Sequence, residues 1–169
     1  MGGRLWTLAE RLLEAVMAAF LLAMAVITGI DVVGRYVFNA PLPGGYEIVQ
    51  YLMAVSVFAA LPLAARAEGH LTIGLFTDRL TGRARRWHRI AMLVISAGTL
   101  AFLAWRMGVQ AGVMDSRQMV SGSLRMPLAP VGWAMTALAW LSVGVTLVLL
   151  ALALAGREAA PTRHGEEVG

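Results

Sequence analysis

Four stretches of this chain are long enough and apolar enough to cross a lipid bilayer, and that fact governs everything else. The hydrocarbon core is about 30 Å thick, and a helix rises about 1.5 Å per residue, so one crossing takes about 20 mostly apolar residues. The spans fall at about 12–33, 48–65, 90–110 and 131–155. The first is free of charge from Ala15 to Ile30, and the second is bounded by Glu47 and Arg66. The third has an uncharged heart from Ile90 to Trp105 and extends past Arg106 to Met114. Only 14% of the residues are charged and 59% are hydrophobic, against about a quarter and a half in soluble domains. The sequence predicts an all-α membrane protein with four transmembrane helices. They form a single domain over residues 1–156, followed by a disordered tail over 157–169, where Pro161 and Gly165 sit among polar residues.

The first span needs separating from a signal peptide. Arg4 and Arg11 precede it, and Ala23-Met24-Ala25 resembles a cleavage site. Glu14 interrupts the run, however, and the apolar stretch continues well past that point. An uncleaved helix is the better reading.

All fourteen basic residues are Arg, and the net charge is +4. Placed between apolar runs, they argue for membrane topology, not for a nucleic-acid partner. Arg4, Arg11, Arg66, Arg79, Arg83, Arg85, Arg86, Arg89, Arg157 and Arg163 fall on one side. Arg35, Arg106, Arg117 and Arg125 are assigned to the other. The positive-inside bias therefore puts both termini and the middle loop in the cytoplasm. That loop carries Leu71, Ile73, Leu75, Phe76 and Leu80 ahead of its Arg cluster. It is expected to lie on the inner face as a short amphipathic arm of one or two helices, with Arg79, Arg83 and Arg86 toward anionic headgroups. Residues 5–13 have a similar interfacial pattern.

Candidate chemistry is sparse. With no Cys, thiolate metal sites, iron–sulfur clusters and thiol redox are excluded. His70, His88 and His164 all lie outside the spans, so no axial haem ligand sits at depth. No base stands beside a Ser or Thr nucleophile. No ionisable residue is expected near a span midplane, as an ion pathway would need. Asp31 and Arg35, four apart, pair at a helix end. Glu47 opens the second span and shares a face with Gln50; both want a protein partner. Ser56 and Pro62 mark a polar spot and a kink nearer the inner end. Ser96, Gly98 and Thr99 in the third span, and Gly132, Thr136, Ser142, Gly144 and Thr146 in the fourth, favour close helix packing. Trp133 suits an interfacial belt, while Trp140 is expected to pack on another helix.

Several short stretches, in order, resemble the small membrane subunit of tripartite ATP-independent periplasmic (TRAP) transporters. Arg35-Tyr36-Val37-Phe38-Asn39-Ala40-Pro41-Leu42 is similar to that family's Arg-x-x-Phe-x-x-Pro, and Tyr46-Glu47 to its aromatic-polar-Glu-Glu run. Arg66 with Gly69-His70-Leu71 is similar to its Arg and Gly-His-Ile, and Ser123-Leu124-Arg125-Met126-Pro127 to its Ser-x-Leu-x-Ile-Pro. The chain departs from the pattern in having one acidic residue, Glu47, where two are usual, and Gly74 where an Asp often follows the His. The resemblance implies a bacterial inner-membrane, multi-pass subunit with no catalytic site and no cofactor. It steadies a large multi-span permease that carries the substrate and ion sites, in a system where a periplasmic solute-binding protein delivers an organic acid or similar anion. The gradient implied is usually of sodium. On that resemblance Arg35 and Glu47 either pair with each other or reach the large subunit. Arg66 and His70 lock the cytoplasmic arm, and Pro127 sets the entry of the fourth span. A competing reading is a small four-helix membrane enzyme whose interfacial Arg83 and Arg86 grip an anionic substrate.

Overall fold

The structure is a computed structural model, and it describes residues 2–77 and 83–155. Four helices account for nearly all of it: α1 (Gly2–Val37), α2 (Gly45–Thr77), α3 (Arg83–Ser116) and α4 (Ala129–Leu154). All four contain a stretch able to span a membrane. Among the described residues there is no strand, and pairing is confined to one isolated antiparallel bridge, Val120 to Pro127.

α4 is the hub. α3 packs along it most extensively, α2 packs on its other side, and α1 touches α2 alone. Membrane helices gain little from burying large apolar side chains, because lipid is equally apolar; close approach of backbones matters more. The residues buried on α4 obey that rule. They include Ala129, Gly132, Thr136, Ala139, Val143 and Thr146, at alternating spacings of three and four. That is the repeat that keeps one seam facing a neighbour. On α3 the matching seam is Leu93, Ala97, Ala104 and Ala111. Ala104 and Ala139 are both fully buried and belong to one cluster with Val143. Gly132 lies against Ala111, where an added Cβ would come within 3.2 Å.

The polar residues in this seam are satisfied within α4. Thr136 Oγ1 donates to Gly132 O (2.8 Å), Ser142 Oγ to Leu138 O (3.0 Å) and Thr146 Oγ1 to Ser142 O (2.9 Å). They act as small, back-bonded fillers and not as bonds between helices.

Four expectations need revision. Residues 5–13 continue α1 without a break, so α1 is about 54 Å long, well beyond the hydrocarbon thickness. α2 passes through Pro62 and runs unbroken to Thr77, so most of the expected amphipathic arm is an extension of the second span. Nothing between Ala64 and Thr77 removes an amide or forces a positive φ, and the helix propagates. Arg79, the rest of that arm up to residue 82, and the tail from 156 onward lie outside the described residues. Trp140 is half exposed, so at most part of its ring is covered within this chain.

The fourth revision concerns Arg106. The Arg bias counts it with the third loop, although the third apolar run extends past it. In the structure α3 continues to Ser116, ten residues farther on. α4 contains no charged residue, and its midpoint lies near Leu141 and Ser142. Gly108 abuts Thr136 and Ala104 clusters with Ala139, which places Arg106 about 6 Å from the level of that midpoint. Arg106 therefore lies inside the candidate span of α3, nearer its middle than the loop.

Candidate partner interface

The resemblance-bearing stretches before α2 and before α4 meet at one end of the bundle, where the α1–α2 and α3–α4 connections lie. Both connections begin the same way. α1 ends with Phe38 and Ala40 amides donating to Gly34 O (3.2 and 2.9 Å), while Asn39 takes a left-handed φ of 50°. α3 ends with the Met119 amide donating to Met114 O (2.9 Å), with Gln118 at φ 48°. Each is a helix stop built on a polar left-handed residue in place of Gly. Gly34 is required by this turn, since a Cβ there would sit 2.6 Å from Ala40 O.

Two carboxylates then tie the connections down. Asp31 uses one oxygen for the Arg35 guanidinium (2.6 Å) and the other for the Leu42 amide (2.8 Å). Arg35 is therefore paired within α1 and is not bonded to Glu47. Glu47 reaches across the bundle instead. Its Oε1 accepts from the Ser123 amide (2.6 Å) and its Oε2 from the Leu124 amide (3.0 Å), with the Ser121 hydroxyl also turned to it. Charge-assisted bonds to two successive amides are a strong and directional form of capture.

The loop that Glu47 holds is a small hairpin. The Ser121 amide donates to Met126 O (2.9 Å), the Leu128 amide to Met119 O (3.0 Å), and the Met126 amide to Ser121 Oγ (3.1 Å). Pro127 bridges Val120 and precedes α4, which carries Pro130 in its first turn, where a missing amide costs nothing. Leu124 wedges against Gly44, which has φ 73°; a Cβ at Gly44 would collide with the Leu124 side chain. So Glu47, Gly44 and Ser123-Leu124 form one unit. The sequence showed that Glu47 needed a partner, but the partner is main chain, which no side-chain pattern signals.

Gln50 is one turn along α2 from Tyr46, and its Nε2 donates to the Tyr46 hydroxyl (3.3 Å). It faces a shallow apolar groove of about 450 Å³ between α2, α3 and α4, lined also by Phe58, Gln110, Ala111 and Met135. The side chains of Arg66 and His70 lie outside the described residues; both positions fall on α2 beyond Ala65, at the opposite end of the bundle. At that end Arg86 Nη2 donates to Leu154 O (2.7 Å). α4 has no basic residue in its own last turn, so α3 supplies the cation that its terminal carbonyls favour. This link between helix ends was not foreseen from the sequence.

Among the described residues, no group of three or more His, Asp or Glu side chains is arranged to hold a metal ion. The site is made of scaffold contacts and uncovered apolar faces. No curated protein and no solved structure matches the chain. The sequence model of the family described as "Tripartite ATP-independent periplasmic transporters, DctQ component" matches residues 24–159, more than half of the sequence, and the chain belongs to that family.

Proposed function

We propose that this chain serves as the non-catalytic scaffold of a TRAP importer, bound to a large multi-span permease subunit that carries the solute and ion sites. A DctQ component is part of a transporter, so the chain is not an enzyme, and the reading of Arg83 and Arg86 as a substrate grip is set aside. It is a multi-pass inner-membrane protein with four apolar helices. The observation that supports a scaffold role is α1. No residue of its most apolar stretch is fully buried by the rest of the chain, and Leu12, Leu21, Leu22, Val26 and Ile30 are exposed, a surface that a larger membrane partner would use.

In this reading the imported solute is an organic acid or similar anion, and the driving force is an ion gradient, of sodium by preference. Both termini and the Arg-rich end face the cytoplasm, and the Glu47 loops face the periplasm, where a solute-binding protein delivers cargo. Arg35, Glu47, Gln50 and Pro127 shape that outer end, while Arg66 and His70 belong to the inner end of α2.

The test is recovery of the C-terminally tagged chain from native membranes in mild detergent, followed by reconstitution. A stoichiometric large polytopic protein is expected, with uptake in liposomes only when both are present. Uptake by the small chain alone, or a chain that emerges without a partner, would overturn the proposal.

A further inference from the structure

Arg106 sits where a charge is expensive. An Arg near the bilayer centre costs at least about 2.5–3.5 kcal/mol and normally faces a protein interior or an aqueous cavity. Here it is exposed on the outer surface of the bundle, about 6 Å from the mid-level of α4. Among the described residues no carboxylate pairs with it. Its guanidinium lies 5.9 Å from the centre of the neighbouring Trp105 ring, within cation–π range. Around it runs an uncovered face of α3 comprising Phe102, Trp105 and Val109, with the Phe102 and Trp105 rings 6.0 Å apart. Aromatic residues flanking an Arg are the composition of an interface centre.

We propose that this face of α3 docks a transmembrane helix of the large subunit, and that a carboxylate on that helix pairs with Arg106. The assignment rests on the scaffold reading above. Charge complementarity at depth selects the occupant. A second copy in the same orientation brings no carboxylate there: Asp31 and Glu47 are already engaged near the loops, and α3 and α4 carry no acidic residue between Arg83 and Met114 or between Ala129 and Leu154. A lipid headgroup lies well over a helical turn away from this level.

The test compares tagged wild type with Arg106→Leu, Arg106→Glu and Arg106→Lys, each recovered from native membranes in mild detergent. Recovery of the large subunit is expected to fall about thirty-fold or more in R106L and further in R106E, and to survive largely in R106K. The thermal midpoint of the isolated chain should be unchanged or higher in R106L, because an unpaired charge has gone; a merely structural Arg would lower it. Equal recovery in R106E and wild type overturns the inference while leaving the scaffold reading intact. No large partner with wild type overturns the scaffold reading itself. The chain has no Cys, so Val109→Cys adds a clean crosslinking site. A crosslink to the large subunit supports the docking, and a crosslink between two copies overturns it.

Discussion

α1 and α4 are equally apolar and opposite in situation. Their most apolar stretches have the same mean hydropathy, yet none of that stretch is buried in α1 and 39% of it is buried in α4. In a soluble protein two such helices would both be driven inside. In lipid the hydrophobic effect ends at insertion, and what separates a central helix from a peripheral one is whether backbones can approach. α4 offers Gly132, Thr136, Ala139, Ser142 and Thr146 along one seam. α1 offers Leu12, Leu21, Leu22, Val26 and Ile30, all exposed. Hydropathy says that a helix enters the membrane, and residue size says what it meets there.

The largest expected effect on the isolated chain comes from filling the seam. Ala139→Leu has no room against Ala104, and overpacking of this kind costs about 1–3 kcal/mol. The thermal midpoint in detergent should drop clearly, whereas the matched Ala19→Leu on the exposed side of α1 should stay within about 0.5 kcal/mol of wild type. Equal losses would end the contrast between the helices. Glu47→Gln should come next. It keeps the volume but removes the charge from the two amides, so hydrogen exchange at Ser123 and Leu124 should quicken while the α3–α4 seam keeps its protection. Spread of that loss into the seam would show that the loop, not the small residues, holds α4 central.

Thr146→Val should cost less than about 1 kcal/mol, because the hydroxyl bonds only its own helix. A larger loss in thermal unfolding would make Thr146 an unrecognised link between helices. Smallest of all is Leu22→Ala on α1, where the side chain is 67% exposed: no measurable change in the isolated chain, but weaker retention of the large subunit in a pull-down. Loss in the isolated chain would mean that α1 packs within this subunit more than its surface indicates.

The spans were legible because insertion is a matter of composition, and composition is written in the sequence. Their ends were less so. Arg106 counts with the third loop in the Arg bias although the apolar run extends past it, and the register of α3 against α4 sets its level within the bundle. The amphipathic pattern of 71–80 fits an arm, but 71–77 contains no Pro, and α2 runs on through Thr77. At the loop end, the need of Glu47 for a partner was visible, while the amides of Ser123 and Leu124 were not, because main-chain donors are the same in every sequence. The Arg86 link to Leu154 O was hidden for the same reason.

The Glu47 contact also sets an order of events during synthesis. Its partner amides lie 76 and 77 residues farther along the chain. At typical elongation rates the Glu47 carboxylate waits about 4–15 s before the loop that receives it has been made. Through that interval α2 has entered the membrane with its first turn unanchored, and the α3–α4 hairpin must arrive to close it. Until it does, the helix start at Glu47 lacks both of its main-chain partners.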